Sequence, residues 1–248
     1  MKLKVLFFSV LLSMFSIQTS FASDYDEDYA SDYDEGEDED VPDSMIFSWN
    51  KSAINYSVSG TVDGYEYVDL GLLSGLKWAN IGAKVPVEYG EYLACGEVGP
   101  KDRYDEDNSF ISSLSIEELK SKSIINEDGN LTALYDAATI NWSENWRLPT
   151  VAEFEELINN CVLSEITLCG VKGYRFESKK IGNNNWIFFP LAGEFYRNSI
   201  DDAGSRGSYW SSTLSGLNAY YLYLGYNSAF TERVIRSVGY TVRPVVKE

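Results

Sequence analysis

One stretch, Asn145 to Cys161, restricts what this chain can become more than any other. Thr150 followed by Glu153 forms a capping box, in which the hydroxyl accepts a first-turn amide and the carboxylate reaches back. Pro149 prevents an earlier start. In the helix this predicts, Val151, Phe154, Leu157, Ile158 and Cys161 share one face, with Glu153, Glu155, Glu156, Asn159 and Asn160 on the other. The apolar face must be covered, and the chain downstream of Cys161 offers strands to cover it. Tyr174 to Glu177 and Trp186 to Pro190 read as a hairpin around the turn Gly182 to Asn185. Ser208 to Thr213, Tyr220 to Leu224, Ala229 to Val234 and Tyr240 to Val245 come next, each bounded by Gly, Asn or Ser. The fold class is therefore α+β, with one main helix at about 150–161 on antiparallel sheets, and one or two short helices besides.

The beginning of the chain has a different composition. Lys2 and Lys4 precede the apolar run Val5 to Ile17, and Ser20 and Ala22 stand at the −3 and −1 positions of a cleavage site. Residues 1–22 are expected to be a signal peptide cut near Ala22, because the run is too short to span a bilayer. That places the mature chain in the periplasm, on the cell surface or outside the cell, with no transmembrane segment. Twelve of the 38 acids lie between Asp24 and Asp43, where Ser-Asp-Tyr-Asp-Glu occurs twice. Residues 23–44 are expected to be a disordered acidic tail. Asp24, Asp26, Asp28, Asp32 and Glu35 have calcium-loop spacing, but Tyr29 stands where the sharp turn needs glycine, which favours a plain acidic tail. Without the tail and leader the chain carries 26 acids against 18 bases. Both parts repel nucleic acid, which is excluded as a partner. Residues 45–64 are expected to form an arm or an edge strand.

The chemistry is narrowed by what is missing. There are no histidines, which removes Ser-His-Asp and Cys-His catalysis and most zinc and copper sites. No phosphate-binding glycine loop follows a strand, so no cofactor and no metal are expected. Glu155 and Glu156 are adjacent and diverge, which makes them poor partners on one bond. Of the three cysteines, Cys161 and Cys169 are the expected disulfide, since Cys161 ends the helix and a seven-residue loop can return to it; Cys95 is left over and expected to be buried.

Tyr65 to Ala79 and Ile81 to Glu97 carry a family likeness, as do Tyr135 to Thr139, Trp146 to Phe154, Leu191 to Gly193, Ala203 to Ser212 and Gly239 to Val245. In order, and over about 65–248, these segments resemble the Fibrobacter succinogenes major paralogous domain family of exported bacterial proteins. The resemblance implies a C-type lectin-like fold, in the superfamily that includes formylglycine-generating enzymes and the variable proteins of diversity-generating retroelements. The chain departs from the pattern at Leu73, where the family has Pro, at Cys95, where it has Trp, and in lacking a Cys just after Ala79. Residues 98–131 read as an insertion, with a short helix capped by Ser115 and Glu118. Asp136 is expected to cap one further turn that feeds Trp142 and Trp146 inward.

What remains as a site is a surface. In Tyr220 to Leu224, alternation sets Tyr221 and Tyr223 on one face, expected to be wet. With Tyr196, Arg197, Tyr209, Trp210, Tyr226, Arg233 and Arg236 they combine stacking rings with fixed positive charge, the residue types enriched at recognition hot spots. The reading is an exported, non-enzymatic module that binds a glycan, peptide or protein through this C-terminal meander. The alternatives are a structural component of a bacterial surface assembly and, more remotely, an enzyme of the formylglycine-generating type.

Overall fold

The central helix α3, Val151–Asn160, starts where the capping box places it. Glu153 accepts the Thr150 amide at 2.7 Å and is gripped by both terminal nitrogens of Arg147 at 2.8 and 2.6 Å. The computed structural model describes residues 57–80 and 89–246. The expected leader, acidic tail and most of the arm lie outside the described residues.

Before α3 come β1 (Gly60–Val62), β2 (Tyr65–Val68), β3 (Lys77–Ala79), α1 (Ile116–Ser121), α2 (Ala137–Asn141) and β4 (Trp146–Arg147). After it come β5 (Cys161–Leu168), β6 (Val171–Ser178), β7 (Trp186–Pro190), β8 (Glu194–Tyr196) and β9 (Ser199–Asp201). The chain closes with β10 (Gly207–Ser215), β11 (Asn218–Gly225), β12 (Ser228–Ile235) and β13 (Val245–Val246). All strand pairs in the sheets are antiparallel, so the architecture among the described residues is α+β with three α-helices. No helix among them is long and apolar enough to cross a membrane.

The last strand closes the domain on its beginning. Val245 pairs with Trp78 of β3 on one side and Arg147 of β4 on the other, in a sheet ordered β1-β2-β3-β13-β4. Two further sheets, β5-β6-β7 and β10-β11-β12, complete the frame, with the β8–β9 hairpin beside them. Pro244, which lacks a ladder donor, stands just before β13, as the end of a strand requires.

Two apolar clusters form the core, and β10-β11-β12 divides them. Tyr209, Leu222 and Leu224 join Trp78, Phe154, Leu157, Phe176 and Phe189 in one. Trp210, Leu214, Ala219 and Tyr221 join Trp146, Tyr240 and the insertion residues Ile111, Leu119 and Leu131 in the other. Period-two alternation supplies both faces, and the insertion covers the second. Trp142 and Trp146 pack inward as expected; Trp142 lies half-buried and flat on Tyr65, with ring centres 4.1 Å apart.

The capping boxes at Ser115 and Thr150 and the Asp136 cap all form. Two segments differ from expectation. The strand expected over Tyr240 to Val245 is reduced to single bridges at Tyr240 and Thr241, and β13 is only Val245–Val246, since Pro244 has no donor to continue a ladder. Residues after Cys161 do not loop back; they run directly on as β5, because Cys169 and Gly170, both at positive φ, form a tight two-residue turn into β6.

Candidate functional site

The structure separates the nine surface candidates into those that are buried and those that are not. Tyr209 is fully buried, donates its hydroxyl to the Pro190 carbonyl, and sets its ring edge-on to Phe189. Trp210 donates its indole N–H to Leu93 O at 2.7 Å and lies 4.6 Å from the Tyr240 ring. Tyr221, 9% exposed, packs on the same ring at 4.8 Å. Arg236 is 0% exposed and donates to the carbonyls of Ile111 and Leu114, each at 2.8 Å, and to Gly216 O. These four are core, not recognition residues. Both faces of the sheet are covered where Tyr209, Trp210 and Tyr221 lie, and Arg236 falls beyond the end of β12 in the core. Burial lowers the Arg236 pKa, and the carbonyls of the insertion stand in for a counter-ion.

The remaining five do not make one site. Tyr196 and Arg197 lie at the β8–β9 turn, with the Arg197 guanidinium 5.4 Å from the ring beside it and its backbone at φ 55°. Arg233 lies over Tyr220 at 5.7 Å, on the face of β11 that carries Leu222 and Leu224. Tyr223 points to the opposite face. Arg233 and Tyr223 therefore serve different surfaces, which corrects the expectation that they share one.

What the fold assembles is a shelf around Tyr223. Its direct cross-strand partner is Phe230, and the two rings stack at 4.7 Å with 25° between their planes. Phe230 is 43% exposed, at the outer strand of the sheet. Gly225 lets the Tyr223 hydroxyl lie over the backbone, since a Cβ there would stand 2.8 Å from it. The turn Tyr226–Asn227 has both residues at positive φ, which joins β11 to β12 without splaying them. That turn projects Tyr226, 79% exposed, toward Arg206, whose guanidinium sits 5.8 Å from the ring and donates to its hydroxyl at 3.3 Å. Asp202 holds Arg206 in place at 2.9 Å.

Carboxylates border the same face. Glu232 is the cross-strand partner of Tyr221, and Glu194 accepts from the Tyr240 hydroxyl at 3.2 Å. Burial is the chief cause that raises the Tyr221 pKa, with Glu232 and Glu194 adding to it against a lowering hydrogen bond from Tyr240. The shelf thus presents a stacked ring pair, an exposed tyrosine, one tethered guanidinium and fringe carboxylates. Rings, phenol hydroxyls and a guanidinium are groups that stack and hydrogen-bond.

Arg206, Phe230, Glu232 and Glu194 were not among the expected residues. Phe230 and Glu232 were findable, because a two-residue turn at 226–227 sets them opposite Tyr223 and Tyr221. Arg206 was not, since its partner Tyr226 is twenty residues away.

A second, open depression of about 420 Å³ lies against the insertion, lined by Gly96 to Gly99, Asn108, Phe110, Leu134 and Tyr135. Phe110 and Leu134 are exposed there.

All three cysteines are free, which corrects the expected disulfide. Cys161 opens β5 and Cys169 lies just past its end. At about 3.3 Å per residue the strand holds them some 25 Å apart, whereas a disulfide needs Cα atoms within about 7 Å. Cys95 is buried as expected, and burial pushes its thiol, like that of Cys161, up to about 12. Among the described residues no group of three or more His, Cys, Asp or Glu side chains is placed to hold a metal ion.

Comparison with known proteins adds no neighbour to this picture: no family model, no curated protein and no solved structure matches the chain.

Proposed function

We propose that the chain is an exported, non-enzymatic binding module of C-type lectin-like fold, which recognises a glycan, peptide or protein in the periplasm or outside the cell. The observation that carries this reading is the stack of half-buried Tyr223 on exposed Phe230, flanked by Arg206 and Tyr226. Stacked rings on a rigid sheet lose little entropy on binding and offer flat apolar area with polar tips. The fold assignment draws support from the residues that carry the family resemblance: Trp78, Trp146, Leu148, Trp210 and Val245 are all buried in the two clusters. The neutral thiols of Cys95 and Cys161 weigh against a formylglycine-generating-type enzyme, whose cysteines must ionise to react.

The test is a screen of the full chain against glycan and peptide arrays, with and without calcium. A defined class of ligand bound without calcium, and lost in Tyr223→Ala and Phe230→Ala variants of unchanged thermal midpoint, is the expected result. Binding that survives both substitutions overturns the placement of the site. Exposed Phe110 and Leu134 favour a second reading, a component of a surface assembly; concentration-dependent self-association in analytical ultracentrifugation, abolished by Phe110→Ser with Leu134→Ser, distinguishes it.

A further inference from the structure

The sheet that carries the shelf has two edges, and they are treated differently. The β10 edge is sealed by three separate segments: Trp210 N–H donates to Thr241 O at 3.0 Å, Ser212 N–H to Pro149 O at 2.8 Å and Leu214 N–H to Gly129 O at 2.9 Å. The β12 edge pairs, among the described residues, with nothing beyond β11. It runs eight residues in unbroken register, with no proline, lysine or bulge. Natural proteins blunt such edges with short strands, charged side chains, prolines or bulges; of these β12 has only the neighbouring pair Glu232 and Arg233, which leaves the stretch from Ala229 to Thr231 without a charge.

Which backbone groups face outward is set by the turn. A two-residue hairpin loop makes Gly225 and Ser228 a doubly hydrogen-bonded pair, so Tyr223–Phe230, Tyr221–Glu232 and Ala219–Val234 are bonded pairs as well. The amides and carbonyls of Ala229, Thr231, Arg233 and Ile235 then point away from β11. One contact agrees: the Arg233 N–H is taken by its own Glu232 side chain at 3.1 Å.

We infer that β12 is a docking edge for an extended, lysine- or arginine-bearing peptide segment, which adds to the sheet as a fourth strand beside the Tyr223–Phe230 shelf. Main-chain hydrogen bonds to an open edge supply affinity, and side chains at every second residue supply specificity. The chemistry of those side chains is set by what borders the edge. Glu232 is exposed on one face, Glu155 of α3 is bonded to Thr231 at 3.3 Å on the other, and Glu165 is joined through the Tyr174 hydroxyl to Asn227 at the strand's start. Against these three carboxylates the edge has one guanidinium, that of Arg233, which lies over Tyr220. A cationic side chain on the shelf face meets Glu232 and the face of an aromatic pair together, and both favour it. Another edge strand of the same length, β5, presents the same backbone pattern but no stacked rings, which makes it an internal control.

This rests on the binding-module reading, and the test separates the two. The full chain is titrated, by fluorescence anisotropy, with an alternating lysine–valine peptide of about ten residues, enough to span β12, and with its glutamate–valine counterpart. Thr231→Pro removes one outward donor and leaves the bonds to β11 in place; Thr167→Pro does the same on β5, whose turn orients it alike. The expected result is binding of the lysine peptide, loss of at least about tenfold in affinity in Thr231→Pro, none in Thr167→Pro, and a reversed charge preference in Glu232→Lys. Should Thr231→Pro lower the thermal midpoint, the Glu232→Lys reversal and slowed exchange of the Thr231 and Arg233 amides on adding peptide carry the test. Equal binding of the two peptides, or lysine-peptide binding untouched by Thr231→Pro and Glu232→Lys, overturns the inference and assigns the attraction to the acidic tract. No lysine-peptide binding, with an array ligand still lost in Tyr223→Ala, overturns the edge while leaving the shelf as the site.

Discussion

Arg233 and Arg236 are three residues apart and have opposite environments. The first lies two residues before the end of an open strand, exposed, its guanidinium over a tyrosine ring. The second begins the stretch that returns through the core to β13, where Arg236, Tyr240, Thr241 and Arg243 are all buried. Arg243 lies 4.6 Å from the Phe189 ring and donates to the carbonyls of Ala79 and Phe188, and burial pulls its pKa down to about 10. An arginine at a strand surface leaves its charge in solvent; an arginine in this core ties irregular segments together by donating to their carbonyls. Residue type alone does not separate the two uses.

Replacing each arginine by alanine is the sharpest way to break the contrast. Arg236→Ala removes the side-chain donor from the carbonyls of Leu114 and Gly216, while Ile111 O keeps the Leu114 N–H at 3.3 Å, and at about 1–3 kcal/mol for each buried unsatisfied group the expected loss is about 2 kcal/mol or more. Arg233→Ala loses one exposed ring contact, about 0.5–1 kcal/mol. Urea unfolding of both variants decides it; equal losses would show that the two arginines are not used differently.

Two acids near α3 extend the contrast to pH. Burial raises the Asp136 pKa above its ordinary 3.8, despite amide bonds from Leu148, Thr139 and Ala138. Burial also acts on Glu153, but Arg147 and the Thr150 cap outweigh it and hold the carboxyl below its ordinary 4.5. The signs are therefore opposite. Ionised Asp136 costs stability as pH rises from 3.8 through its raised folded value, whereas Glu153 contributes stability above 4.5 that is lost as pH falls through its lowered folded value. Thermal midpoints from pH 3 to 7 for Asp136→Asn and Glu153→Gln should differ from the parent in opposite directions as pH rises. Glutamine keeps the cap, so the effect of Glu153→Gln reports the charge, on the order of 1 kcal/mol at most for a part-exposed pair.

The smallest effects belong to the shelf and the thiols. Phe230→Ala should change stability by less than about 1 kcal/mol, because an exposed ring has little burial to lose. A loss of several kcal/mol would make the Tyr223–Phe230 stack a structural pair, not a binding one. Alkylation of the denatured, unreduced protein should label three cysteines, and a reductant should leave its unfolding midpoint where it was. Fewer labelled thiols would show a disulfide.

Local signals in the sequence were enough for α3, for both capping boxes, for the Asp136 cap and for most strands of the meander, because each depends on residues within a few positions of one another. The same locality explains what the sequence left open. Alternation divides Tyr221 from Leu222, but whether the Tyr221 face is wet depends on Trp210, Tyr240 and an insertion a hundred residues earlier, which join Tyr221 in one cluster and leave Phe230 exposed. Cys161 and Cys169 suit a short loop by spacing, until two residues at positive φ turn the intervening chain into a straight strand. Arg206 meets Tyr226, and Arg236 meets Ile111, only once strands have paired. Hydrogen-bond partners and burial are long-range properties, and in this chain they select which tyrosines and arginines are left to face solvent.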